Sequence, residues 1–219
     1  MPVPRMLPRR RPPGYWRVLL GLLLALSAAA TGVSVWVYGR LRQAVLHWEE
    51  ADQARGRHDY EQALDHYRQA RDLAWGMGVF GNDYYAVVAD AHYERASFLA
   101  SARLDAATDR EADRLTRLAA LAFEEAGGWR RRVKAQSFRS AQFDAVAAYR
   151  EAAGLWLSLC SRHAAASDAD LSREAVASLA RNAEKWMLEI EGDPHYASQA
   201  RAARDMMQAA RRFEDELAH

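Results

Sequence analysis

From Val18 to Tyr38 the chain contains no Asp, Glu, Lys, Arg or His. This run, VLLGLLLALSAAATGVSVWVY, limits the possible folds more than any other segment. About 20 mainly apolar residues in a helix cross a hydrocarbon layer roughly 30 Å thick. An amphipathic helix on a globular core would show a polar face, and this run has none. Arg5, Arg9, Arg10, Arg11 and Arg17 precede it, and no acidic residue occurs before Glu49. Arg40 and Arg42 follow it. The heavier basic flank is N-terminal, so the positive-inside rule predicts a cytoplasmic N-terminus and a domain across the membrane. Tyr15 and Trp16 at one end and Trp36 and Tyr38 at the other match an aromatic belt.

A cleaved signal peptide is the competing reading, with an apolar core from Val18 to Leu26 and cleavage near Ala28 to Ala30. Against it, the apolar run continues through Val33, Val35, Trp36 and Val37. The expected organisation is a flexible basic cytoplasmic tail over residues 1–14, where five of the six prolines lie, and a transmembrane signal-anchor helix over 15–39. A soluble helical domain over 40–219 completes it, with the bilayer contacted through residues 18–38.

Beyond the span no alternating β-branched segment occurs. Apolar residues recur instead at helical spacing, as in Leu171, Ala175, Leu179, Ala183, Trp186 and Ile190, or Met206, Ala210, Phe213 and Leu217. The fold class is therefore all-α. Helices are predicted over roughly 41–56, 59–75, 83–104, 109–127, 130–140, 142–163, 168–190 and 194–217. The breaks fall at Gly56, Gly76 to Gly78, Gly81-Asn82-Asp83, Gly127-Gly128, Ser167-Asp168 and Gly192-Asp193-Pro194. In the last, Asp193 suits the N-cap and Pro194 the first helical position.

Residues 44–75, AVLHWEEADQARGRHDYEQALDHYRQARDLAW, carry a further pattern in Ala51, Tyr60, Ala63, Tyr67 and Ala70. This segment resembles a tetratricopeptide repeat, a helical hairpin of about 34 residues. The second helix of the hairpin matches well and the first poorly, with His47 at the family's early Trp position and Trp75 at its closing Pro. Ala145, Tyr149 and Ala152 repeat the spacing of Ala63, Tyr67 and Ala70, and Ala89 to Ala100 is hairpin-like. No strict period holds, so a degenerate TPR-like domain is expected. The resemblance implies that Ala51 and Ala63 let the two helices approach closely, that Tyr67 fills the gap to the next hairpin, and that Ala70 permits stacking. It also implies a concave binding face on the first helix, which here falls on Val45, Trp48, Asp52 and Arg55.

Charge excludes one class of partner. Five of the 30 basic side chains precede residue 18, leaving 25 basic against 29 acidic for the remainder. A mildly acidic domain without a basic stripe argues against nucleic acid. The one basic cluster beyond the span, Arg130, Arg131, Arg132 and Lys134 beside Trp129, suits an acidic partner or anionic lipid headgroups. Lys134 and Lys185 are the only lysines, and Arg use with abundant Ala suggests a GC-rich bacterial genome. The expected location is thus the inner (plasma) membrane, with the domain in the periplasm.

Nothing in the spacing points to catalysis. No HExxH, GxSxG or phosphate-binding glycine loop occurs, and no Cys/His set has zinc spacing. His58 with Asp59, and Asp65 with His66, share one predicted hairpin but have no third ligand placed by spacing. Cys160 is the only cysteine; flanking Leu157 and Leu159 favour its burial. No enzyme activity, cofactor or metal is expected. The expected function is protein–protein interaction, as a membrane-anchored scaffold or assembly factor of an envelope complex. A permanent accessory subunit of a larger membrane complex, or a secreted helical protein after cleavage, are the alternatives.

Overall fold

The computed structural model describes residues 15–74, 77, 80–133, 144–163 and 169–218. Among these, all regular structure is helical. It comprises α1 (Tyr15–Gly56), α2 (Tyr60–Leu73), α3 (Gly81–Ala102), α4 (Asp109–Arg130), α5 (Ala145–His163), α6 (Ala169–Ile190) and α7 (Ala197–Ala218), with 3-10 turns at Arg103–Asp105 and Pro194–Tyr196. The tail 1–14, Lys134 and most of the predicted helix 130–140 lie outside the described residues.

Two predicted boundaries are absent. The apolar run and the first helix of the domain are one helix of 42 residues. Gly39 between them does not interrupt it, since one glycine costs only about 1 kcal/mol against alanine and the good helix formers Arg40 to Ala44 follow it. One near-N-terminal helix is thus long and apolar enough to span a membrane, and none of its most apolar stretch is buried against the other described residues. The second absent boundary is Gly127-Gly128, through which α4 runs to Arg130. Gly127 is a packing notch, because a β-carbon there would stand 2.7 Å from Cε1 of Tyr149 on α5. Nothing lies within 4 Å of one added at Gly128.

Local chemistry sets several helix starts. The Asp59 carboxylate accepts from the Gln62 amide N–H at 3.3 Å, and the Thr108 hydroxyl oxygen accepts from that of Glu111 at 3.2 Å. Thr108 with Glu111 three positions on is the sequence of a capping box. Asp193 accepts from the His195 N–H at 2.9 Å, with Pro194 opening a 3-10 turn rather than α7 itself.

Each helix packs mainly on its neighbours in the chain: α1 on α2, α3 on α4, and α4 through α7 in succession. Alanine lines many of these contacts; Ala51, Ala63, Ala70, Ala89, Ala96, Ala119, Ala152, Ala175 and Ala183 are fully buried. Small side chains bring helix axes to the short end of the usual 8–10 Å. They bury little area themselves, so large side chains wedged among them supply most of the apolar burial. Trp156 and Leu159 do so in the core of α3–α7, and Trp186 and Tyr149 in the α5–α7 cluster. Glu124 ties α4 to α6, accepting from Lys185 Nζ at 2.6 Å, Asn182 Nδ2 at 3.1 Å and Arg181 Nε at 3.1 Å. Burial alone would raise its carboxyl pKa, but these donors outweigh burial and hold it below the usual carboxylate value.

The two adjacent glycines should respond oppositely to alanine in thermal unfolding of the full-length protein. Gly127→Ala, forced against the buried Tyr149 ring, should cost about 1–3 kcal/mol. Gly128→Ala should be neutral or stabilise by up to about 1 kcal/mol. Equal effects at both positions would contradict the notch.

Candidate functional site

The hairpin of α1 and α2 holds most of the residues that the sequence singles out. Chain reversal occupies Arg57 to Asp59, where His58 adopts φ 62°. Its ring lies parallel to Phe98 of α3 at 5.8 Å between centroids, and its Nδ1 is 3.0 Å from the Tyr60 hydroxyl. α2 then returns along α1, and Arg40 donates to the Asp72 carbonyl at 3.1 Å near the end of α2. A cation there complements the helix dipole. Ala51, Tyr60, Ala63, Tyr67 and Ala70 are all buried.

Of the stripe Val45, Trp48, Asp52 and Arg55, Trp48 is buried, Arg55 is partly covered, and Val45 and Asp52 are exposed. Trp48, 9% exposed, stacks on Phe80 at 4.4 Å and meets Tyr67 edge-on at 5.2 Å. It is core, not a presented binding residue, because α2 and the start of α3 close over it. Asp52 accepts from the Tyr67 hydroxyl at 2.5 Å. Arg55 grips Glu94 of α3 with two hydrogen bonds, Nε at 2.7 Å and Nη2 at 2.5 Å. The Glu94 hydrogen bond raises the Arg55 pKa against the opposing effect of burial. Burial first, and the bond to Asp52 second, push the Tyr67 hydroxyl well above its usual range. Of the stripe, Val45 remains an exposed apolar side chain.

The basic cluster lies at the end of the domain from which the apolar part of α1 projects. Contacts trace that end from helix to helix. Arg40 meets the end of α2, and Arg71 of α2 donates to the Tyr84 hydroxyl of α3 at 3.3 Å. Tyr84 then meets Trp129 of α4 edge-on at 5.9 Å. Arg132 lies over the Trp129 ring at 4.5 Å, and Arg131 pairs with Glu189 of α6 at 2.6 Å. Arg130, in the last turn of α4, sits beside them. The end thus combines guanidinium groups with aromatic rings.

A third group was not visible in the spacing of the sequence. His47 and Glu50 lie one turn apart on α1, and His66 of α2 faces them. Glu50 Oε2 is 3.1 Å from His47 Nδ1 and 3.2 Å from His66 Nδ1, and the two Nδ1 atoms are 3.3 Å apart. The rings stack at 5.5 Å with 26° between their planes. These residues form the one cluster among the described residues able to place three metal-ligand atoms together. The hint was His47-x-x-Glu50, an i,i+3 pair sharing a helix face; its third member needed the hairpin register.

Elsewhere, Asp113 of α4 lies 2.9 Å from Arg162 Nη1 and 3.0 Å from His163 Nε2, both at the end of α5. Cys160, one turn before His163, is buried in the α3–α7 core. Burial pushes its thiol up to about 11, which keeps it protonated and unreactive at neutral pH.

Compared with known proteins, the chain matches no family model, no curated protein and no solved structure.

The polar ties should be measurable in full-length protein. Glu94→Gln should lower unfolding free energy by about 1.5–3 kcal/mol, as expected for a charge-assisted bond, and Tyr67→Phe by about 0.5–1.5 kcal/mol. Denaturant unfolding that leaves both variants at the wild-type midpoint would show that α1 is not joined to α3 and α2 in this way.

Proposed function

We propose that this protein is a membrane-anchored helical scaffold that holds a protein-binding surface beside the bilayer. Its N-terminus is cytoplasmic and its domain extracytoplasmic in this reading, and the domain is of the TPR-like kind. The main support is the apolar half of α1, which is entirely uncovered by a domain that already has its own core. An apolar surface of that size needs a cover, and a span of this length fits hydrocarbon. The Arg-rich N-terminal flank favours the orientation. Successive packing of helix on helix favours a repeat-like stack, an architecture suited to extended binding surfaces.

With Trp48 and Arg55 engaged internally, the partner surface moves to the basic and aromatic end formed by Trp129, Arg130 and Arg132. Arg and Trp dominate interface energies where they are desolvated by a partner. Beside an anchor, such a surface meets partners already confined to the membrane.

Full-length protein in native membranes should stay in the pellet through carbonate and high salt. A photo-crosslinking residue replacing Arg132 should yield a protein adduct of discrete mass. Release by carbonate would remove the anchor from this account. Adducts to lipid alone would remove the scaffold.

A further inference from the structure

We propose that His47, Glu50 and His66 form a binding site for a zinc-class divalent metal ion that clips α1 to α2. This goes beyond the scaffold reading and does not depend on it. Three atoms with lone pairs, two imidazole nitrogens and one carboxylate oxygen, converge here with mutual separations of 3.1, 3.2 and 3.3 Å. In tetrahedral zinc, with bonds of about 2.0–2.1 Å, neighbouring ligand atoms stand about 3.3 Å apart. The observed triangle is one face of such a polyhedron. An ion about 2.05 Å from each corner sits a little under 1 Å above the plane of the triangle.

The donor set is chemically apt. Two histidines and one carboxylate form a borderline-soft set that suits zinc and neighbouring divalent transition metals rather than calcium or magnesium. Bound together they carry a net charge of +1, so the ion is only partly neutralised and takes a fourth ligand. Glu50 is about half exposed while His66 is largely covered, so the fourth position opens to solvent, where water or a partner's side chain completes it.

A metal-bound histidine usually anchors its second ring nitrogen on a hydrogen-bond acceptor. The Gln62 side-chain amide lies 3.5 Å from His66 Nε2, one turn earlier on α2. A half-turn of that amide, equivalent in shape, presents its oxygen to the ring N–H. The sites of the ligands also make the ion a register device. Two ligands come from α1 and one from α2, so a bound ion fixes how far the helices slide. His47 lies nine residues beyond Tyr38, about 14 Å along the helix axis, where α1 leaves its apolar run and the hairpin begins.

The test uses full-length protein in detergent micelles, without a histidine tag and stripped by a chelator. Zn2+ is titrated against a competing indicator, and Co2+ binding is followed by its visible absorption. Wild type should bind a single Zn2+ per chain, and the intensity of the Co2+ bands should report low-coordinate geometry. His47→Ala, His66→Ala and Glu50→Gln should each weaken affinity by roughly 100-fold or more, since loss of an outer partner alone costs 10–100-fold. His195→Ala, at an exposed histidine on another element, should leave affinity unchanged. Glu50→Gln keeps the side-chain shape, so a correctly folded protein that no longer binds Zn2+ supports the site even if a histidine variant misfolds. Wild type that takes up no metal, as when the three groups share protons only, would overturn the proposal. Binding unchanged across all three variants would do the same.

Discussion

The backbone hydrogen bonds of α1 are the constraint from which the rest of this structure follows. A chain entering hydrocarbon must satisfy every N–H and C=O internally, and a helix does so residue by residue. Once formed over Val18 to Tyr38, that helix has no reason to stop at Gly39. It therefore delivers Ala44, Trp48, Ala51 and Ala54 to the domain on a preformed rod, and these four are buried on one side of it. α2 needs only the reversal at Arg57 to Asp59 to pack back along this rod. The first hairpin is thus built against an element whose direction is set by its apolar half, and under the proposed function that half lies in the bilayer.

Two kinds of contact then hold the stack. Alanine faces let helices approach closely, and Gly127 carries this further by admitting the Tyr149 ring where even a methyl would collide. Polar ties fix the pairs laterally: Arg55 with Glu94 joins α1 to α3, and Glu124 with Lys185 joins α4 to α6. Partly buried ties of this kind cost desolvation and return specificity of arrangement only when fully partnered. Here each carboxylate meets more than one donor group or a bidentate guanidinium. The combination suits a rigid domain at a fixed distance from the membrane, which is what the proposed scaffold role requires.

Much of this was legible in the residues and some was not. The apolar run, the helical class and the cap at Asp193 follow from local periodicity and capping chemistry, whereas the packing of Ala51, Ala63, Tyr67 and Ala70 was implied by the resemblance to a repeat hairpin. Gly127-Gly128 misled because glycine reads locally as a break, while its use here depends on a ring from another helix. Trp48 and Arg55 sit at surface-like positions of the first helix, yet Phe80 and Glu94, distant in sequence, cover them. The His47, Glu50 and His66 cluster was hidden for the same reason: two members share a turn, and the third arrives only with hairpin register. Whether the hairpin belongs to the tetratricopeptide type is a matter of stacking geometry, which residue spacing alone does not carry.

The central claim is that one unbroken helix links the apolar run to the domain. Spin labels at Val35 and Gln53, both exposed, lie 18 residues and five whole turns apart, on the same face of α1. Pulsed-dipolar distance measurement on the full-length protein in lipid nanodiscs should give one narrow distribution near 27 Å, the rise of 1.5 Å per residue over that interval. A broad distribution, or a peak several ångströms shorter, would place a hinge near Gly39 and contradict the account.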